Sequence, residues 1–114
     1  MTSPSGYHDR GPVGVVTLTG EIDIFTAQGF RAAVEHACRM RHEVVEIDLT
    51  GVSFIDSSGL GLVAELLRHQ RQHGGRVVVR GARRSVARTF RLCAMDTASD
   101  LDLVEADQPE DEQN

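Results

Sequence analysis

The chain has 114 residues, 40% hydrophobic and 25% charged, with a formal net charge of −5, which suits one domain with one compact core. No apolar run approaches the roughly 20 residues needed to cross a bilayer, and residues 1–14 lack the basic start and apolar stretch of a secretion signal. Few aromatics in an acidic chain also argue against nucleic-acid binding, so the expectation is a cytoplasmic protein that touches neither membrane nor nucleic acid and is a monomer when free.

Residues 1–12 are polar and interrupted by Pro4, Gly6, Gly11 and Pro12, so a flexible segment or a weak edge strand around Tyr7 is expected there. Residues 13–19 are rich in β-branched side chains and read as a strand, with Val16 and Leu18 on one face and Val15, Thr17 and Thr19 on the other. Gly20-Glu21-Ile22-Asp23 is expected to end it. From Thr26, a suitable N-cap, the apolar residues Phe30, Ala33, Val34, Ala37 and Cys38 recur with helical spacing. Val45, Ile47 and Leu49 then alternate with Glu46 and Asp48 as a half-buried strand, and Gly51 is expected to begin a turn.

That turn holds Phe54-Ile55-Asp56-Ser57-Ser58-Gly59 and leads into a helix with Leu60, Val63, Ala64 and Leu67 as its core stripe, stopped by Gly74-Gly75. At 100° per residue Leu62 and Leu66 fall off this stripe, on the side of Ser58. Exposed, they would form an apolar spot for a protein partner; packed on a neighbouring helix, they would be core. Val77, Val78 and Val79 make a short strand, Ser85 offers an N-cap to a helix with Val86, Phe90 and Cys93 inward, and Leu101 and Leu103 mark a last strand. Residues 106–114 read as an acidic, disordered tail. The alternation predicts a single α/β domain over residues 13–105, a mixed, mostly parallel sheet of four to five strands flanked by helices. The two serines then sit at the carboxyl end of a strand, where open α/β sheets place their working residues.

A hydroxyl at a helix N-terminus lies close to unpaired N–H groups and tolerates added negative charge, which suits a phosphate. Nucleophilic catalysis is not indicated, because no histidine is near in sequence and the flanking glycines of a nucleophile elbow are missing. His69 and His73 have a metal-compatible spacing, but Gln70 and the want of a third ligand favour two solvated rings. There is no phosphate-cradling loop, so neither enzyme activity, cofactor nor metal is expected. Gly59 and Gly61 are read as leaving the hydroxyls uncovered. Cys38 and Cys93 are read as small core hydrophobes. All 12 basic residues are Arg, and eight of them fall between Leu66 and Met95 with no acid among them, immediately before the acidic C-terminal stretch; they form either a patch for an acidic partner or a solvated face partly neutralised by that stretch.

Gly20-Glu21-Ile22-Asp23, the strand over residues 44–49 and Phe54-Ile55-Asp56-Ser57-Ser58-Gly59-Leu60-Gly61 together resemble the STAS domain family, in particular bacterial anti-sigma-factor antagonists. The resemblance covers residues 13–104, and two features depart from it: a first strand broken by Pro and Gly, and Ala94-Met95-Asp96 where relatives tend to carry Gly-Leu-Asp. It implies a phosphoprotein that binds an anti-sigma serine kinase, releasing a sigma factor in a stress or sporulation response. It further implies that Ser57 accepts the phosphate, that a serine phosphatase removes it, and that Asp23 and Asp56 flank the loop on the partner-binding surface. With the neighbouring residues, the expected partner-facing set is Asp23, Asp56, Ser58, Gly59, Leu62 and Leu66. A different implied role is an adaptor in a lipid-transport complex or signalling scaffold that phosphorylation does not control.

Overall fold

Strand and helix alternate along the chain as β1 (Ser5–Arg10), β2 (Val13–Ile22), α1 (Ala27–Met40), β3 (Val44–Ile55), α2 (Ser57–Gln72), β4 (Arg76–Ala82), α3 (Arg84–Leu92) and β5 (Leu101–Glu105). This computed structural model describes residues 5–93, 95 and 100–106; of the tail expected over residues 106–114, Ala106 donates its N–H to the Ala82 carbonyl at 2.8 Å, and the rest lies outside the described residues. The strands form one sheet in the order β1-β2-β3-β4-β5. β1 pairs antiparallel with β2, and the other neighbours are parallel. The α/β expectation therefore holds, with five strands.

The N-terminal edge is firmer than the sequence suggests, because Gly11 at φ 71° opens a two-residue hairpin loop that sets six β1 residues against β2. Tyr7 on this strand contacts His42 through its hydroxyl and stacks on the His36 ring of α1. His42 is buried and its Nδ1 lies 3.0 Å from the Gly11 carbonyl oxygen. With Nδ1–H donating to that carbonyl, Nε2 accepts from Tyr7, and the ring ties the hairpin to the start of β3.

Two more strands run further than expected. β2 passes through Gly20, which takes φ 80°, and β3 passes through Gly51 to Ile55. Register shifts near Thr19 and Gly20 absorb the irregularity, and pairing resumes at Glu21–Phe54 and Ile22–Ile55. Both shifts put one extra residue on β3, between Asp48 and Gly51 and at Ser53, while Gly20 and Gly51 are themselves paired, with Val52 and Thr19, and do not end the strands.

Each parallel crossover joins adjacent strands, so right-handed connections place all three helices on one face. That face is the core: Val16, Leu18, Val45, Ile47, Leu49, Val77 and Val79 are buried with Phe30 of α1 and Phe90 of α3. On the reverse face Thr17, Arg80 and Asp102 are exposed, and Glu46, Asp48 and Val78 are partly so. Gln70 is a fully buried polar residue of α2; its amide nitrogen reaches the carbonyls of His42 and Arg76, both at 3.1 Å. Those bonds satisfy carbonyls where two strands begin, while the Gln70 Oε1 is buried with no hydrogen-bond partner among the described residues.

Three sequence expectations need correction at the helix ends. Ser85 does not cap α3; Arg83 occupies the N-cap without a side-chain hydrogen bond. Cys93 follows the last turn of α3 and is exposed, whereas Cys38 is partly buried against the core. His73 is not merely solvated, since its Nε2 lies 3.1 Å from the His42 carbonyl and its ring meets His69 edge-on.

Candidate functional site

Because β2, β3, β4 and β5 are parallel, the loops after them gather at one edge of the sheet, and the β3–α2 junction contributes Asp56, Ser57 and Ser58. Asp56 is the N-cap of α2: its backbone is extended and its carboxylate accepts the Ser58 N–H at 2.8 Å. An acidic N-cap satisfies an otherwise unpaired amide and suits the helix dipole. This arrangement separates the two serines. Ser57 opens the helix and is exposed, while Ser58 is partly covered.

The neighbouring loop after β2 is folded by Asp23. Its Oδ1 accepts the N–H groups of Phe25 at 2.9 Å and Thr26 at 3.1 Å, and Thr26 Oγ1 donates to the Glu21 carbonyl at 2.7 Å. Thr26 is the N-cap expected for α1, yet its hydroxyl works backward on the loop instead of capping the helix. The Asp56 N–H bonds to the Ile22 carbonyl at 3.1 Å, so the two loops stand side by side. Both aspartates thus have a local structural task.

Gly59 has a role that the sequence did not disclose. It is buried, and a Cβ there would come within 2.6 Å of Ile55 Cγ1 and 2.9 Å of Ile22 Cγ2. Only glycine lets the first turn of α2 settle on the ends of β2 and β3. Gly61 is exposed, and a Cβ there would meet nothing within 4 Å, so a side chain of that size would not cover either hydroxyl.

The apolar spot considered for Leu62 and Leu66 is absent. They are only 2% and 0% exposed. Gly59, Leu60, Leu62, Val63, Leu66, Leu67 and Gln70 are all buried, an arc about 160° wide at 100° per residue. The stripe is this broad because α2 packs on α1 as well as on the sheet, a tertiary contact that periodicity alone does not reveal. Exposed apolar surface lies instead on the loop that Asp23 folds, where Ile24 is 69% and Phe25 88% exposed, with Phe54 about half exposed at the end of β3. The one cue available in sequence was two large apolar residues at a strand end outside any periodic pattern.

The histidines lie far from the serines. His42 precedes β3, His69 is in the last turn of α2 and His73 is its C-cap, at the opposite edge of the sheet. α2 has 16 residues, about 24 Å at 1.5 Å per residue, so none of these three rings can act as a base on Ser57 in this arrangement. No cluster of metal-binding side chains occurs among the described residues, and no helix there is long and apolar enough to cross a membrane.

Fold and site define a class: a small α/β domain that displays an uncovered serine, an acidic cap and two exposed apolar side chains along the carboxyl edge of a parallel sheet. The chain belongs to the STAS domain family, whose sequence model matches residues 7–107. It is 31% identical over 92 residues to the anti-sigma-B factor antagonist of Listeria monocytogenes, covering 81% of each chain. Among solved structures it resembles an anti-sigma factor antagonist from Mycobacterium paratuberculosis with a TM-score of 0.76 and 26% identity, over 86% of this chain and 83% of that one. The Bacillus cell fate determinant SpoIIAA in its phosphorylated form shares the fold, with a TM-score of 0.68 and 21% identity over 87% and 89% of the two chains.

Proposed function

We propose that this protein is an anti-sigma-factor antagonist: it binds an anti-sigma serine kinase, frees a sigma factor, and is switched off by phosphorylation of Ser57. The observation that carries this reading is the exposure of Ser57 at the first position of α2, beside Asp56 and the Ile24–Phe25 loop. The relatives named as anti-sigma factor antagonists point the same way. Ser57 acts as an acceptor of phosphate, not as a catalytic nucleophile. Partners of this kind place the protein in the cytoplasm.

The physics of the switch follows from location. A phosphate adds about −1.5 to −2 charges at neutral pH. The helix N-terminus favours it and the adjacent Asp56 carboxylate opposes it, so the folded body tolerates the change. At an interface the dianion must lose water without a matching cation, at a cost on the order of 3 kcal/mol. That equals more than a hundredfold in affinity, enough to return the kinase to its sigma factor. The complete cycle also needs a serine phosphatase to restore the binding form. Calorimetric titration of the cognate anti-sigma kinase with Ser57→Ala and Ser57→Asp tests the switch. The alanine variant is expected to bind and the aspartate variant to bind far more weakly, with both folded; equal affinities would reject it.

A further inference from the structure

Two hydroxyls stand side by side at the start of α2, and the packing of its first turn treats them differently. Gly59 is the fixed point. It is buried against Ile22 and Ile55, the paired last residues of β2 and β3. At about 100° per residue, Ser57 lies about 200° around the helix from Gly59 and Ser58 about 100°. With Gly59 facing the strand ends, Ser57 faces away from them and Ser58 is left on a flank.

That flank turns toward α1. Ser58 and Glu65 fall within about 20° of each other around the helix, and Glu65 pairs with Arg31 of α1 at 3.7 Å. Ser57 instead shares its side of α2 with Gly61 and Arg68, both exposed. The partial cover of Ser58 and the exposure of Ser57 are thus two consequences of one helical phase.

The phase is held at the cap and at the glycine. The Asp56 carbonyl accepts the Leu60 N–H at 3.0 Å, and its carboxylate accepts the Ser58 N–H at 2.8 Å, which fastens the backbone of the flanking serine to the cap. A Cβ at position 59 would come within 2.6 Å of Ile55 Cγ1 and 2.9 Å of Ile22 Cγ2. Both atoms belong to β-branched side chains, whose Cγ atoms move only with χ1 or the backbone. A side chain at position 59 therefore lifts the first turn instead of displacing a flexible tip. Val63, Leu66 and Leu67 are buried further along α2 and keep the body of the helix in place, so the change is confined to the turn that carries the serines.

We infer that Asp56 and Gly59 assign the phosphate to Ser57 in place of Ser58. They are positioning residues: neither takes part in the transfer, and each holds the turn in the phase that presents one hydroxyl outward. This assignment rests on the reading of Ser57 as the acceptor. In that transfer the serine oxygen bonds to the γ-phosphorus of ATP, the bond from that phosphorus to the ADP oxygen breaks, and the serine proton is released.

Phosphosite mapping on the full-length parent and on Asp56→Ala, Gly59→Ala and Gly61→Ala tests it. Each protein is incubated with the cognate anti-sigma kinase and ATP, then quantified by mass spectrometry against synthetic peptides phosphorylated at Ser57 or at Ser58. The readout is the Ser58:Ser57 phosphate ratio within one chain, which a change in kinase affinity alone does not move. Asp56→Ala is expected to raise the ratio about fivefold, the factor by which one N-cap favours a seated first turn. Gly59→Ala is expected to raise it about tenfold or more by overpacking, and Gly61→Ala, in open space, to leave it unchanged. An equal ratio in the parent and Asp56→Ala, which stays informative even if Gly59→Ala fails to fold, would overturn the inference while keeping Ser57 as the acceptor. A ratio raised equally by Gly61→Ala would overturn it too, since any change in the turn would then suffice. No phosphate on either serine of the parent would remove the acceptor reading and the inference with it.

Discussion

The starts of α2 and α3 occupy equivalent places in the fold, each following a parallel strand at the same sheet edge, yet they are built in opposite ways. The α2 start is fixed: Asp56 caps it, the Asp56 N–H holds Ile22, and Gly59 fits against Ile22 and Ile55. The α3 start has no side-chain cap and is surrounded by arginine. Equivalent topology therefore does not give equivalent chemistry. A rigid, acid-capped helix end can present one hydroxyl in a fixed position, whereas an uncapped basic end is suited to diffuse attraction of acidic groups.

The largest difference should come from close packing. Gly59→Val is expected to lose about 3 kcal/mol of stability by overpacking, while Gly61→Ala, in open space, is expected to gain about 0.5–1 kcal/mol; urea unfolding of both distinguishes the two glycines, and equal effects would show that the α2 start is not tightly seated. Next in size is Phe25→Ala, expected to weaken binding of the anti-sigma kinase by about 2 kcal/mol, as for a central aromatic of an interface, with unfolding unchanged because the ring is exposed. Unchanged affinity would move the partner surface away from the Asp23 loop.

Exchanging the caps sharpens the contrast further. Asp56→Ala is expected to cost about 1 kcal/mol, and Arg83→Asp, on an extended backbone suited to an N-cap, to stabilise by a similar amount. Thermal unfolding measures both, and loss of stability in Arg83→Asp would mean that the arginine performs local work that the cap geometry does not show. The smallest effect lies away from either helix start. The hydrogen bond from Arg71, in the last turn of α2, holds the Asp100 carboxyl below its ordinary pKa. A lowered folded-state pKa adds stability above the unfolded value, near pH 4, and that contribution is lost as pH falls through the folded value. Arg71→Gln should therefore reduce stability slightly at pH 7 and not at pH 2, as read by denaturant midpoints; an equal loss at both would assign the effect to packing.

The alternation of elements and the serine turn were legible because apolar period and hydroxyl position are local properties. Gly20 and Gly51 misled because a glycine that stays paired within an irregular strand has the same sequence appearance as one that ends it. Leu62 and Leu66 fell off the apparent stripe because the α1–α2 contact that buries them is tertiary, and the same contact-dependent logic hides the packing of Gly59 and the bonds from the Gln70 amide nitrogen to two strand carbonyls. Ile24 and Phe25 escaped notice for a related reason: only the fold shows that a strand-end pair of apolar residues remains uncovered next to Ser57.

The most direct measurement is site mapping of the phosphate. Purified protein incubated with its cognate anti-sigma kinase and ATP is digested, and the peptide spanning residues 53–68 is sequenced by mass spectrometry. A single phosphate on Ser57, absent from Ser57→Ala, is the expected result. Phosphate on Ser58, or none while the kinase binds and remains active, would contradict the role given to the uncovered hydroxyl.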